Sequence, residues 1–340
     1  MKTLAKRTLK TRRGATLTFT ELGFGTAPLG NIYRPISDDD ADETLAAAWD
    51  AGIRYYDTAP LYGRGLAETR LNHFLRSKPR DAYTLSTKIG RLLKRTTRDK
   101  LTDAIHYFDT PAREIIFDYS YDGVMRSVEA SLERLGADRF DILFCHDLGA
   151  DTHGTRQASD QRLAEFLDGG YKALDKLRGE GVVNAIGAGC NEWEVCEKLA
   201  HAADVDVFLL AGRYTLLEQG ALATFLPLCK KKGIGVVAGG PLNSGILAGG
   251  TTYNYRPAPP DIIARAARIK AVCATHHVDT VAAALRFPLA HPAVVATLFG
   301  GVSGAEVFAN AATFATPLPA ALWSDLKTQG LLDATAPTPA

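Results

Sequence analysis

Eight short apolar runs alternate with longer segments of helical period, and this alternation predicts an α/β fold, a (β/α)8 TIM barrel. Two further observations support closure. Several runs are almost continuously apolar, as strands buried on both faces are. Parallel neighbours also need long crossovers, and closing the sheet removes its edges. An open doubly wound sheet is the alternative arrangement of the same elements. The runs are 22–28, 53–59, 83–89, 140–147, 183–190, 205–211, 234–241 and 293–299.

Taken in order, the elements carry local signals. Residues 8–12 and 15–19 flank Arg13-Gly14 and read as a short hairpin within 1–20. Ser37 is placed to cap a helix that begins at Asp38–Asp40 and stops at Gly52. Ser120 is placed to cap 121–135, where Val124, Val128, Leu132 and Leu135 share one stripe and Gly136 follows. Segments 163–177 and 262–275 have the same period. Residues 91–119 are too long and too polar for an ordinary connection; following the third strand, they are expected to form a lid over the C-terminal mouth. The tail 335–340, with Pro337 and Pro339, is expected to fray. The whole chain, 1–340, reads as one barrel domain.

Composition narrows the classes. Of 340 residues 46% are hydrophobic, which argues against disorder, and the formal net charge of +1 gives no electrostatic footprint for nucleic acid or an anionic membrane. No apolar run nears the roughly 18 residues of a membrane span. The basic start (Lys2, Lys6, Arg7, Lys10) is followed by no apolar stretch, unlike a secretory signal. Five cysteines are scattered with no C-x-x-C pair, so a reduced, cytoplasmic protein without a metal site is expected.

In a barrel the reactive residues sit at the C-terminal strand ends. The second strand ends in Asp57, the third in Lys88 and the fourth in His146, and Tyr62 lies just past Asp57. Three apolar strands thus deliver three ionisable groups to one face, within reach of a phenol. A phenol titrates near ~10 and is a poor proton donor at neutral pH. A neighbouring ammonium is expected to lower that value, Asp57 to offset the desolvation of Lys88, and His146 to orient the reacting oxygen. The set reads as a tuned proton donor and acceptor. Gly23-Phe24-Gly25 and Gly187-Ala188-Gly189 fail as Rossmann fingerprints, with Pro28 and Glu192 at the third glycine.

At these residues the chain resembles the aldo-keto reductase superfamily. Asp57-Thr58-Ala59-Pro60-Leu61-Tyr62-Gly63, followed by Glu68, is similar to its D-x-A-x-x-Y-G stretch. Ser86-Thr87-Lys88 and Phe144-Cys145-His146-Asp147 resemble the strands carrying its lysine and histidine. The likeness runs from about residue 22 to 310, and the starting hairpin before it also resembles a barrel-bottom plug. It implies a tetrad of Asp57, Tyr62, Lys88 and His146 and hydride transfer with a nicotinamide cofactor.

The resemblance also implies cofactor contacts. Gly25 and Thr26 follow the first strand. Gly189-Cys190-Asn191 is similar to G-x-S-N, with Cys190 departing from Ser, so Asn191 is assigned to the carboxamide. Tyr214 matches a tyrosine that stacks on nicotinamide; the usual preceding glutamine is absent, with Arg213 a candidate replacement. Pro241, Leu242, Ser244 and Gly245 resemble a loop over the pyrophosphate. Gly300, Gly301, Ser303, Glu306 and Asn310 follow the last strand. There, positions that are basic in NADP-using members are Gly300, Val302 and Glu306, so NAD is expected over NADP, with NADP possible.

Segments 25–31 and 211–219 resemble the L-fucose and D-threo-aldose 1-dehydrogenases and the related pyridoxal 4-dehydrogenases. The implied reaction oxidises a cyclic sugar at C1 to a lactone. Tyr33, Asp147 and the lid around 106–119 are the expected substrate contacts. Alternatives are pyridoxal oxidation, general aldehyde or ketone reduction with NADPH, and a cofactor-binding sensor without turnover. The partner expected is a small molecule, and oligomeric state is left open.

Overall fold

The structure, a computed structural model, describes residues 4–32, 34–101 and 107–339. In chain order its strands are β1 (Lys6–Lys10), β2 (Thr16–Thr20), β3 (Leu22–Gly25), β4 (Tyr55–Asp57), β5 (Thr84–Ile89), β6 (Arg91–Arg95) and β7 (Arg113–Phe117). They continue with β8 (Phe140–His146), β9 (Val183–Cys190), β10 (Val207–Ala211), β11 (Gly235–Gly239), β12 (Thr252–Tyr253), β13 (Arg256–Pro257) and β14 (Val294–Phe299). Parallel strands β3, β4, β5, β8, β9, β10, β11 and β14 close into one barrel in that order. Each of the eight expected runs contributes one of them.

Period-two alternation sorts the side chains. Outward residues such as Tyr56, Leu143 and Cys190 join the layer between barrel and helices; inward residues such as Tyr55, Ile142, Phe144 and Leu209 fill the barrel. Hairpin β1–β2 closes the N-terminal end of the barrel. Thr84 at the start of β5 donates to Thr18 O, Arg7 donates to Val294 O at the start of β14, and Phe19 meets the Tyr55 ring edge-on at 5.1 Å.

The helix signals correspond to real caps. Ser37 and Asp40 form a reciprocal capping box on helix Asp38–Asp50. Ser120 caps Tyr121–Leu135, and Gly136 ends it with φ 57°. The segment expected as one helix over 163–177 is interrupted by a wide turn at Phe166–Gly170, between helices Arg156–Glu165 and Tyr171–Gly179.

Two expectations change. Within 91–119, β6 and β7 pair as an antiparallel hairpin at the mouth. It is moored by reciprocal bonds between Asn31 and Phe108, while residues 102–106, including the expected contact His106, lie outside the described residues. The tail is packed at least through Ala336, which is 1% exposed, because its methyl joins the apolar layer outside the barrel. No helix among the described residues is long and apolar enough to cross a membrane.

Candidate active site

The inward positions at the C-terminal strand ends are Asp57, Lys88 and His146, and the register of β4, β5 and β8 brings them to one rim. Lys88 Nζ donates to Asp57 Oδ2 at 2.6 Å and to Thr58 O at 2.8 Å. Both partners of this ion pair are buried. The ammonium lies 4.7 Å from the centre of the Tyr62 ring, and the His146 ring meets Tyr62 edge-on at 5.9 Å. Gly189 on β9 leaves room for the lysine stem, since a Cβ there would lie 3.3 Å from Lys88 Cε.

The loop holding Tyr62 is shaped by glycines. Gly63 and Gly65 have φ of 61° and 90°, a region that favours glycine. Gly30 packs against the same loop backbone to backbone: a Cβ on it would lie 2.5 Å from Gly63 N and 2.6 Å from the Tyr62 carbonyl carbon. Gly30→Ala is therefore expected to push Tyr62 out of place, lowering kcat by roughly 10²-fold and stability by about 1–3 kcal/mol. Thermal unfolding together with steady-state turnover checks this; parent values for both would contradict it.

Charge in the site differs from the expectation at Tyr62. Burial, and then the charge of Asp57, pushes the phenol well above its ordinary value, with Tyr255, Tyr107 and Asp147 adding to the rise. The phenol is raised, not lowered as expected, because burial and the Asp57 carboxylate outweigh the ammonium, which is itself paired with Asp57 at 2.6 Å. Burial, Arg91 and Lys88 hold His146 well below the usual imidazole range, so the ring is neutral at pH 7. Burial raises Asp57, opposed by Lys88 and Ser86.

Asp147 stands beside the tetrad. Its Oδ2 accepts from Arg91 and lies 3.3 Å from His146 Nε2. Tyr119 donates to the His146 and Asp147 carbonyls at 2.9 and 3.0 Å, so the inserted hairpin and its exit hold the end of β8. Sequence reasoning gave Arg91 no role and took Tyr119 only as the end of a lid over substrate; the two residues are the ends of the segment 91–119. Tyr33, the other expected substrate contact, lies outside the described residues.

A cavity of about 480 Å³ opens beside Tyr62 and Asp57. Among the residues assigned to cofactor from the sequence, Gly25, Asn191, Pro241, Leu242, Ser244, Gly245 and Gly300 line it, together with Leu209, Asn254 and Tyr255, which sequence reasoning missed. Consecutive positive φ values at Asn243 (48°), Ser244 (59°) and Gly245 (97°) turn this stretch sharply at the cavity wall, where Asn243 N–H donates to Gly240 O and Gly245 N–H to Leu242 O. A Cβ on Gly300 would strike Pro28 Cγ at 2.7 Å, so only glycine leaves the wall open there. The cavity size, its mostly apolar lining and the Asn191 amide fit a nicotinamide cofactor.

Other expected contacts are placed elsewhere. Tyr214 is 1% exposed and packs against Phe287 and His291 at 5.2 and 5.9 Å, so its ring is not presented to the cavity. Thr26 is buried and donates twice to Asp57 O, which makes it a brace for β4. Cys190 faces the helices, not the cavity. Beyond Gly300, Gly301 is buried, Ser303 caps helix Gly304–Phe314, and Asn310 donates to Glu306 O at 3.0 Å. The Glu306 carboxylate accepts from Val302 N at 2.9 Å. None of these four residues lines the cavity.

Residues 21–329 match the aldo/keto reductase family. The chain belongs to that family. A pyridoxal 4-dehydrogenase from Microbacterium luteolum is 43% identical over 93% of this chain and 95% of its own. A D-threo-aldose 1-dehydrogenase from Pseudomonas sp is 42% identical over 96% of this chain and 97% of its own. The holo form of aldo-keto reductase AKR11C1 from Bacillus halodurans superposes with a TM-score of 0.73 at 25% identity, covering 98% of both chains. This aldo/keto reductase is thus an oxidoreductase of a family that uses a nicotinamide cofactor, and a small aldehyde or sugar substrate is consistent with that family.

Proposed function

We propose that this aldo/keto reductase oxidises a cyclic sugar hemiacetal at C1 to a lactone, with NAD preferred, and that Tyr62 is its acid/base. The observation carrying the proposal is the convergence of Lys88 and His146 on one phenol, 4.7 Å and 5.9 Å from its ring. Tyr62 exchanges the proton of the C1 hydroxyl. The neutral His146 polarises the same oxygen, and the Asp57–Lys88 pair sets the field beneath the phenol. Asp147 accepts a hydrogen bond from a further sugar hydroxyl, while Arg91 holds its carboxylate in place. A nicotinamide cofactor held in this cavity would supply the acceptor for the hydride lost from C1. Asn191, Ser244, Gly245 and Gly300 are the residues assigned to hold the cofactor.

The substrate class is supported by the chemistry that the two relatives' names share. Aldoses close on themselves as cyclic hemiacetals, and so does pyridoxal, through its neighbouring hydroxymethyl group. Loss of hydride from either gives a lactone. A polyol also offers hydroxyls to Asp147, whose carboxylate Arg91 already orients, and to Asn254 on the cavity wall.

The preference for NAD rests on the loop after β14. No Lys or Arg occurs from Leu298 to Asn310, and Glu306 closes the loop by accepting from Val302. A carboxylate about 4 Å from a 2′-phosphate costs roughly 1–4 kcal/mol per unit charge. With L-fucose, L-galactose, D-arabinose and pyridoxal as a panel, kcat/KM is expected to be highest for an aldose with NAD. Equal or better turnover with NADP would contradict the cofactor assignment, and pyridoxal outpacing every aldose would move the substrate.

A further inference from the structure

Asp57 is buried, and both of its oxygens are engaged. Lys88 takes Oδ2; Ser86 Oγ donates to Oδ1 at 2.7 Å. A carboxylate only accepts, so the Ser86 hydrogen is committed to it. The Tyr55 hydroxyl, 3.1 Å from Ser86 Oγ, therefore donates to Ser86. A directed chain of buried groups runs from Tyr55 through Ser86 to Asp57, where Lys88 meets it from the other side. It is built by the barrel itself. Ser86 faces Asp57 in the β4–β5 register, and it shares the inward face of β5 with Lys88, two residues on.

We propose that Ser86, backed by Tyr55, is a positioning residue for the proton transfer at Tyr62: its hydrogen bond keeps Asp57 ionised and turned toward Lys88, and so keeps the ammonium beneath the phenol. The inference rests on the reading of Tyr62 as acid/base. The groups that act on Asp57 are Lys88 and Ser86 from β5, Tyr55 from its own strand and Tyr62 in the following loop. Burial drives the carboxyl upward, and Lys88 and Ser86 are the two groups that hold it down. Without the Ser86 donor, Oδ1 is left bare in a dry interior, and its affinity for a proton rises. Once protonated, Asp57 is no longer an ionic partner for Lys88, and only the Thr58 carbonyl still holds the ammonium by hydrogen bond.

The test compares Ser86→Ala, Ser86→Thr and Tyr55→Phe with the parent. In Ser86→Ala the kcat is expected to fall about tenfold, the worth of one hydrogen bond to a charged group, with KM nearly unchanged. The acid limb of the kcat profile should move up by about one pH unit. The protonated-carboxyl infrared band of Asp57, isolated by difference from Asp57→Asn, should titrate upward by the same amount whatever the substrate. Ser86→Thr, which keeps the hydroxyl, should recover most of both. Tyr55→Phe should shift them the same way by less, and it decides the matter if Ser86→Ala does not fold. A parent-like carboxyl titration in folded Ser86→Ala, or in Tyr55→Phe when that variant decides, overturns the proposal. If Tyr62→Phe keeps full turnover, the acid/base reading itself fails; if Tyr62→Phe is inactive while Ser86→Ala behaves as parent, only the role of Ser86 fails.

Discussion

Lys88→Met is expected to cost roughly 3–5 kcal/mol of stability and nearly all turnover, because it strands a buried carboxylate. Methionine fills much of the lysine stem's volume, so the loss is electrostatic, not a cavity. Asp57 loses the 2.6 Å partner on Oδ2 and keeps only Ser86 on Oδ1. Its carboxyl, already raised by burial, then rises further. The sign of the pH dependence follows. A carboxyl whose folded pKa lies above its unfolded value binds protons more readily in the folded state, so the deficit is smallest at acid pH and grows as pH rises toward the folded pKa. Adding Asp57→Asn to Lys88→Met removes the stranded charge and should return a large part of the stability without restoring turnover. Melting curves of the parent, the single variant and the double variant across pH measure this. Equal melting temperatures for single and double variants at neutral pH would contradict the ion pair's role.

Much of the barrel is legible in the chain because its signals are local. Each strand is a short apolar run bounded by turn residues, and caps such as Ser37 and Ser120 act on backbone a few residues away. Asp57, Lys88 and His146 are legible for a related reason: each ends an apolar strand, and parallel strands in register must bring such ends to one rim. What is not legible depends on partners distant in sequence. Arg91 reaches Asp147 across 56 positions. Gly30 touches the Tyr62 loop through bare backbone, and nothing around Gly30 announces this. Tyr214 occupies a recognisable place in the chain, yet its ring turns toward Phe287 and His291, which belong to a late helical segment. Ser86 reads as an ordinary small strand residue until the register sets it opposite Asp57.

Tyr62→Phe is expected to lower turnover between about 10² and 10⁴-fold, the range of a positioned acid/base. The substitution removes one oxygen and keeps the ring, so its contacts with Lys88 at 4.7 Å and His146 at 5.9 Å persist. Because the phenol is strongly raised by burial beside Asp57, deleting its hydroxyl leaves no stranded charge, and the fold should hold. The cavity wall formed by Gly25, Asn191 and Ser244 is untouched, so the dissociation constant for NAD should stay near the parent value. The decisive measurement is the single-turnover rate of NADH formation by folded, NAD-saturated Tyr62→Phe with excess aldose. The account predicts a rate at least about a hundredfold below the parent; hydride transfer at the parent rate would contradict it.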